Sequence, residues 1–333
     1  MTTIIETPVP VSSAHPDALT NPDAVASPVR RRIGLSDLRV FPLAMSGNVF
    51  GWTAGTEETT GILDTYAEHG GNFIDTADSY AGGRSEIMIG NWMRDRRNRD
   101  AMVVATKIGK NADNPGLSGR AVAKAVHASL ERLRTTHIDL LYLHIDDPEV
   151  PFDETLLAVD ELIRAGKIRY FGCSDHTGNR LIEARIATGQ LGVAPLVALQ
   201  NHYNLVDRAA FEGPLANVAD RQGLGVMPRF ALASGFLTGK YRARVDLGRN
   251  ARGAEAAKYL NRRGLRVLAA LDLVAARHET SVATIALAWL LTKPNIVAPV
   301  ASVSRPEQVA ALTASTRIQL SRSQVADLDR ASA

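Results

Sequence analysis

The chain is predicted to fold as an α/β protein, a single (β/α)8 barrel of the TIM type, and three observations carry that prediction. Eight short apolar runs recur from residue 38 onward: "RVFPLAM", "NFID", "MVVATK", "IDLLYLH", "IRYFGCS", "LVALQ", "LGVMP" and "IVAPVAS". Helix-like segments lie between them, at 57–69, 84–97, 118–134, 153–165, 178–189 and 258–291. Strands that alternate with helices pair in parallel through crossovers. Finally, an open doubly wound sheet usually shows a Gly-rich dinucleotide turn after its first strand. "AMSGNVFG" is too loose a match for one, so eight units point to a closed ring.

Taken in order, residues 1–28 come first. They hold Pro8, Pro10, Pro16, Pro22 and Pro28, with Ser, Thr, Ala and Asp filling most of the rest. Such a segment buries too little apolar surface to offset its ordering entropy, so a disordered leader is expected. "RRRIGLSDLRVFPL" is expected to form a hairpin ahead of the first barrel strand, which makes 29–333 the barrel domain. Within 118–134, Val122, Val126, Leu130 and Leu133 recur at three- and four-residue spacing, marking one buried helix face, with Ser118 as N-cap. The stretch 228–257 is rich in Gly, Arg and Ala without clear periodicity, and such long loops are usually functional.

Composition narrows the function classes. A hydrophobic content of 45% and a charged content of 22% suit a soluble globular protein. Net charge is only +3 and the basic residues are scattered, so the pI near 9.1 does not argue for nucleic acid. Cys173 is the only cysteine, which excludes an intrachain disulfide and a thiolate metal cluster. No metal is expected. No apolar stretch approaches the ~18 residues that span a bilayer. The N-terminus lacks a basic start followed by an apolar core, so it is not a secretory signal. A cytoplasmic protein is expected.

In a parallel barrel, catalytic groups sit at the C-terminal ends of strands. Reading those ends gives Asp75 after the second strand, with Tyr80 five residues on, Lys107 after the third and His144 after the fourth. A free tyrosine, with a pKa near ~10, donates poorly at neutral pH. A neighbouring ammonium favours the phenolate and lowers that value. Lys107 is expected to supply the ammonium, Asp75 to hold it, and His144 to orient a carbonyl oxygen beside the phenol. Asp78 is read as a loop residue.

With these residues in place, the chain resembles the aldo-keto reductase superfamily from about residue 31 to 330. "FIDTADSYAGGRSE", "VVATKIG", "LLYLHIDDP", "YFGCSDHT", "FALASGFLTGKYR" and "ASVSRPEQV" carry the resemblance. "LQNHYNLVDR" and "GFLTGKY" point to the bacterial branch related to the potassium-channel beta subunits. The resemblance implies NADPH, or less often NADH, extended across the barrel mouth, and a small-molecule carbonyl substrate. By motif, Gly47 and Asn48 approach the nicotinamide ribose, and Ser174, Asp175 and Gln200 contact its carboxamide, with Asp75 close by. Phe230, Leu232, Ser234, Gly235 and Lys240 wrap the pyrophosphate. Ser304, Arg305 and Gln308 meet the adenosine end, and Arg305 suits a 2′-phosphate. A helix starting near Pro306 adds its N-terminal dipole.

Two positions depart from the family pattern. Arg229 stands where an aromatic residue commonly stacks on the nicotinamide, and Asp175 where Asn is frequent. The expectation is that the two compensate, the guanidinium replacing the ring and the carboxylate balancing its charge. Competing readings are a cofactor-binding regulatory subunit, like the channel-associated relatives, and a Schiff-base aldolase or isomerase using Lys107. Trp52, Phe50, His176, His202 and Tyr203 are candidates for lining a substrate pocket. The substrate and the oligomeric state are left open.

Overall fold

A computed structural model of the chain describes residues 30–249 and 251–333. The expected leader, 1–28, lies outside the described residues. The first described element is the expected hairpin: β1 (Arg31–Arg32) pairs antiparallel with β2 (Arg39–Val40), Arg31 opposite Val40.

Eight parallel strands come next: β3 (Ala44–Ser46), β4 (Phe73–Asp75), β5 (Val103–Ile108), β6 (Ile138–Leu143), β7 (Ile168–Ser174), β8 (Ala198–Gln200), β9 (Gly225–Val226) and β10 (Val300–Ala301). Their order is β10-β3-β4-β5-β6-β7-β8-β9, each pair parallel. Residues flanking β9 and β10 close the ring. Val297 N–H donates to Val226 O at 2.9 Å, and Val300 N–H to Pro228 O at 2.8 Å. Every barrel strand coincides with one of the eight apolar runs, β3 and β5 each running one residue past theirs. The first run is divided, however. Arg39–Val40 belongs to the hairpin and only Ala44–Ser46 to the barrel, because Pro42 between them lacks the N–H a ladder needs.

Side chains alternate between two cores, as a period of two requires. Val104, Ile108, Leu141 and Leu143 pack outward on the helices. Phe73, Val103, Ala105, Leu140, Tyr142 and Ala198 fill the ring, joined from below by Ile33, Leu38 and Val40 of the hairpin region. The hairpin thus plugs the N-terminal end. The same alternation carries the odd positions of β4 and β5 and the even positions of β6 and β8 up to the opposite end. There it delivers Asp75, Lys107, His144 and Gln200.

The helices fall at Thr56–Glu68, Arg84–Arg96, Gly119–Leu133, Phe152–Arg164 and Gly178–Leu191, close to the expected spans. Ser118 caps Gly119–Leu133, accepting from Ala121 N–H at 3.3 Å. The expected 258–291 helix is two helices, Arg262–Arg277 and Val282–Leu291. Glu279, at φ +50°, turns the chain between them, and Ser281 caps the second. Helices at Pro214–Arg221 and Arg322–Ser332 add to the expected set. Among the described residues of the loop 228–257, helix occurs only as short turns, such as Ala233–Thr238 and Gly253–Ala256. No described helix is long and apolar enough to cross a membrane.

Candidate active site

The C-terminal end of the barrel opens into a cavity of about 1230 Å³. At its floor lies Lys107, only 1% exposed. Its ammonium donates to Asp75 Oδ2 at 2.7 Å, to the Thr76 carbonyl at 2.9 Å and to the Tyr80 hydroxyl at 3.5 Å. Gln200 Nε2 donates to the other Asp75 oxygen at 2.8 Å. A buried charge is tolerable only when it is paired and its hydrogen bonds are filled, and both conditions hold here. Asp75, expected to touch the cofactor too, has both oxygens taken and does not line the cavity.

Tyr80 arrives on a tight loop. Ala81, Gly82 and Gly83 all have positive φ, at +50°, +64° and +85°. The loop is tied to β5 and to the turn beyond it, since Asp78 N–H donates to Lys107 O and Asn111 Nδ2 donates to Asp78 O. The rings of Tyr80 and His144 meet edge to face at 6.1 Å. The structure therefore brings the four expected residues together.

Their electrostatics depart from expectation in one respect. Burial raises the Tyr80 hydroxyl more than Lys107 lowers it, so the net value lies above that of free tyrosine. Lys107 is also raised: burial opposes its charge, but Asp75 and Tyr80 together outweigh burial. His144 is lowered to about 2 by burial first, then by Lys107, Lys110 and Arg229, so its imidazole is neutral. Asp78 is a loop residue, as expected, but a buried one. It is 1% exposed, and burial, with nearby Glu86, raises it to about 7 against the opposing pull of Arg132 and the Gly109 and Ser79 amides.

Around the floor the other expected residues fall into groups. Asn48 lines the cavity, while Gly47 lies behind it, where an added Cβ would come within 2.4 Å of Ser85 Oγ. Ser174, expected at the carboxamide, is fully buried with its hydroxyl unpartnered and does not itself line the cavity. Arg229 and Asp175 do pair: Nη2 lies 2.7 Å from each carboxylate oxygen and Nε 3.0 Å from Oδ1. The guanidinium also sits 5.0 Å from the Phe230 ring, which stacks on His202.

Farther along, Leu232, Ser234, Gly235 and Lys240 line the wall. Phe230, Ala233, Ser234 and Gly235 all have positive φ, so this strap is folded sharply on itself. The Ser234 hydroxyl already donates to Glu255 at 2.9 Å. At the far end, Gln308 Oε1 accepts from Ser304 N–H and Arg305 N–H, fixing the loop, and Arg305 is exposed. The helix expected at Pro306 is a 3-10 turn, Pro306–Gln308, running into the short helix Val309–Ala314, so its dipole is modest. Of the five candidate substrate residues only Trp52 lines the cavity. Phe50, His176 and Tyr203 are buried, and His202 pairs with Asp207 at 2.9 Å. Two lining residues, Lys110 and Arg252, are not among those the sequence singles out. The signal for Lys110 is its place three residues beyond Lys107 in "TKIGK".

The cavity is large enough for a dinucleotide and has Lys240, Arg252 and Arg305 on its wall. A closed parallel barrel with a buried lysine, a tyrosine and a neutral histidine at its open end defines an oxidoreductase of the barrel class. The Aldo/keto reductase family matches residues 46–333, and the chain belongs to it. It is therefore an NAD(P)H-dependent oxidoreductase, a carbonyl reductase in general terms. Among similar proteins, an aryl-alcohol dehydrogenase of Pestalotiopsis microspora is 30% identical, covering 89% of this chain and 79% of its own. Norsolorinic acid reductase B of Aspergillus parasiticus is 31% identical, covering 89% and 82%. A probable voltage-gated potassium channel subunit beta of Oryza sativa is 31% identical, covering 84% and 88%.

Proposed function

We propose that the protein is an NADPH-dependent carbonyl reductase in which Tyr80 is the proton donor. The observation that carries this reading is the buried Lys107 ammonium, 2.7 Å from Asp75 and 3.5 Å from the Tyr80 hydroxyl. The bound nicotinamide cofactor supplies the hydride to the carbonyl carbon. As the carbonyl oxygen gains charge, the Tyr80 O–H gives it a proton. The phenolate left behind faces the Lys107 ammonium, which Asp75 and Gln200 hold in place. A raised Tyr80 does not defeat this step: an alkoxide is a far stronger base than a phenolate, so the transfer runs downhill, and the donor stays protonated at neutral pH. The neutral His144 donates a hydrogen bond to the same oxygen without competing as an acid.

For the cofactor, the orphaned Ser174 hydroxyl suits the carboxamide, and the strap from Phe230 to Lys240 suits the pyrophosphate. Arg305, whose guanidinium makes no ion pair among the described residues, suits a 2′-phosphate, which favours NADPH over NADH. The expected boundary near residue 29 and a reducing cytosolic setting, in keeping with the buried free Cys173, belong to the same reading.

Tyr80→Phe tests it. Turnover of a generic aldehyde should fall by roughly 10²–10⁴-fold, while NADPH fluorescence still reports full binding. A fully active variant would remove Tyr80 from the role. The channel-subunit relatives support a second reading, a cofactor-binding regulatory subunit with little turnover. A wild-type protein that binds NADPH but reduces nothing across an aldehyde and ketone panel would favour that reading.

A further inference from the structure

We propose that the physiological substrate is an aldehyde or ketone bearing a carboxylate, and that Lys110 is the residue that selects it. The inference rests on the carbonyl-reductase reading of the site and names the substrate class that reading leaves open.

Five cations line the cavity, Lys110, Arg229, Lys240, Arg252 and Arg305, with Lys107 buried behind Tyr80. Arg229 is committed, with three contacts of 2.7–3.0 Å to Asp175. Lys240 and Arg252 come from the loop after β9, the seventh barrel strand, and Arg305 from the loop after β10, the eighth. Those are the segments that suit the phosphates of a dinucleotide. Lys110 comes from the loop after β5, the third strand, four places round the ring from the seventh. It therefore stands across the mouth from the phosphate-binding side, at the end where Tyr80 and His144 converge.

Lys110 is also uncommitted. Its side chain is exposed to the cavity and makes no hydrogen bond or ion pair among the described residues. The acidic residues that line the cavity are Glu58, Asp175 and Glu307. Glu58 lies on the helix after the first strand, Glu307 beside Arg305, and Asp175 is occupied by Arg229. The reacting end thus carries an unbalanced positive charge. His144 registers it: after burial, the groups that disfavour its protonation are Lys107, Lys110 and Arg229. A low-dielectric cleft of one sign concentrates ligands of the other. Trp52, from the loop after β3, the first strand, adds an apolar face to the same cavity, so the group that fits has an apolar body and an anionic tail. One free ammonium matches one negative charge, which favours a carboxylate over a phosphate dianion.

Three matched aldehydes test the proposal with NADPH: 4-carboxybenzaldehyde, methyl 4-formylbenzoate and 4-formylphenyl phosphate. The acid should be preferred over the ester in kcat/KM by roughly tenfold, the size of a charge-assisted contact discounted for exposure. Lys110→Gln should raise KM for the acid by that factor, with kcat unchanged and the ester unaffected. Lys110→Arg should restore the preference. Equal use of acid and ester by the wild type, equal slowing of both by Lys110→Gln, or a phosphate preferred over the acid would overturn the proposal. A second arm keeps it separate from the reductase reading. If no aldehyde is turned over, that reading falls, and calorimetry decides the anion site by titrating 4-carboxybenzyl alcohol and its methyl ester into NADP⁺-saturated protein. Tighter binding of the acid, lost in Lys110→Gln, sustains the carboxylate site; equal binding rejects it.

Discussion

Lys107–Asp75 and Arg229–Asp175 are both short ion pairs, yet their surroundings give them different worth. The first is 1% exposed on each side, and removing one partner of such a pair typically costs about 3–5 kcal/mol. In the second the side chains are 27% and 33% exposed, and a pair that wet contributes about 1 kcal/mol or less to folding. Stability is therefore a weak reason for the second pair, which leaves room for the proposal that it balances charge beside the nicotinamide. Arg229→Tyr alone should leave Asp175 unpaired and weaken NADPH binding, and the double variant with Asp175→Asn should recover it, with a coupling of about 1 kcal/mol or more in fluorescence titrations. Additive effects would sink the compensation idea. Asp78 poses a different problem. Its folded value, about 7, stands above its ordinary 3.8. A raised acid costs nothing below the lower value, and stability is lost as pH rises between the two. Asp78→Asn should therefore melt like the wild type near pH 4 and outlast it at pH 8, by up to about 4 kcal/mol. A melting difference independent of pH would place the cost elsewhere.

At the level of elements, the helix Arg84–Arg96 ties the site to the barrel wall. Its Glu86 accepts from Thr106 Oγ1 at 2.5 Å and from Arg132 Nε at 2.6 Å. Its Ser85 donates to Gly47 O at 2.8 Å. The close approach is set by Gly90, where an added Cβ would lie 2.5 Å from Arg132 O and 2.6 Å from the Leu133 carbonyl carbon. Alanine gains roughly 1 kcal/mol in helix propensity over glycine, but the clash is with backbone, which cannot swing aside. Gly90→Ala should thus be net destabilising, by about 1–3 kcal/mol in denaturant melts. Elements were legible in the sequence where period and punctuation agreed. Val122, Val126, Leu130 and Leu133 gave a helix face, and Ser118 its start. What stayed hidden depended on neighbours. Helix Val282–Leu291 is apolar nearly all round, so only the turn at Glu279 divides it from the helix before it. Arg322–Ser332 is so polar that its buried side, Leu328 and Ala331, hardly shows. At the site, Asp75, Lys107 and His144 could be read from strand ends because alternation fixes which side chains face inward, whereas Tyr80, on the loop five residues past Asp75, is placed by its turn and not by that alternation. The free ammonium of Lys110 and the burial of Asp78 could not, since loop positions carry no period; their character comes from the groups the fold packs around them.

Across the whole molecule, the hairpin region is part of the barrel's core. Ile33, Leu38 and Val40 are at most 2% exposed, and burial of each contributes about 1.5–3 kcal/mol. Their sum rivals the full stability of an ordinary domain, about 5–15 kcal/mol. The turn between the strands depends on Gly34, at φ +49°, where a Cβ would lie 2.2 Å from Val197 O and 2.8 Å from Gly223 O. Gly34→Ala should lower the melting temperature more than Gly90→Ala does, because conformational strain adds to the clash. The reverse ranking in parallel thermal melts would show that the plug is less tightly seated. Because that plug seals one end of the ring, the barrel is a cup and not a pipe. Reactant and product must share one doorway, so whatever narrows the rim, such as Trp52 with Arg252 5.6 Å from its ring, slows departure as well as arrival.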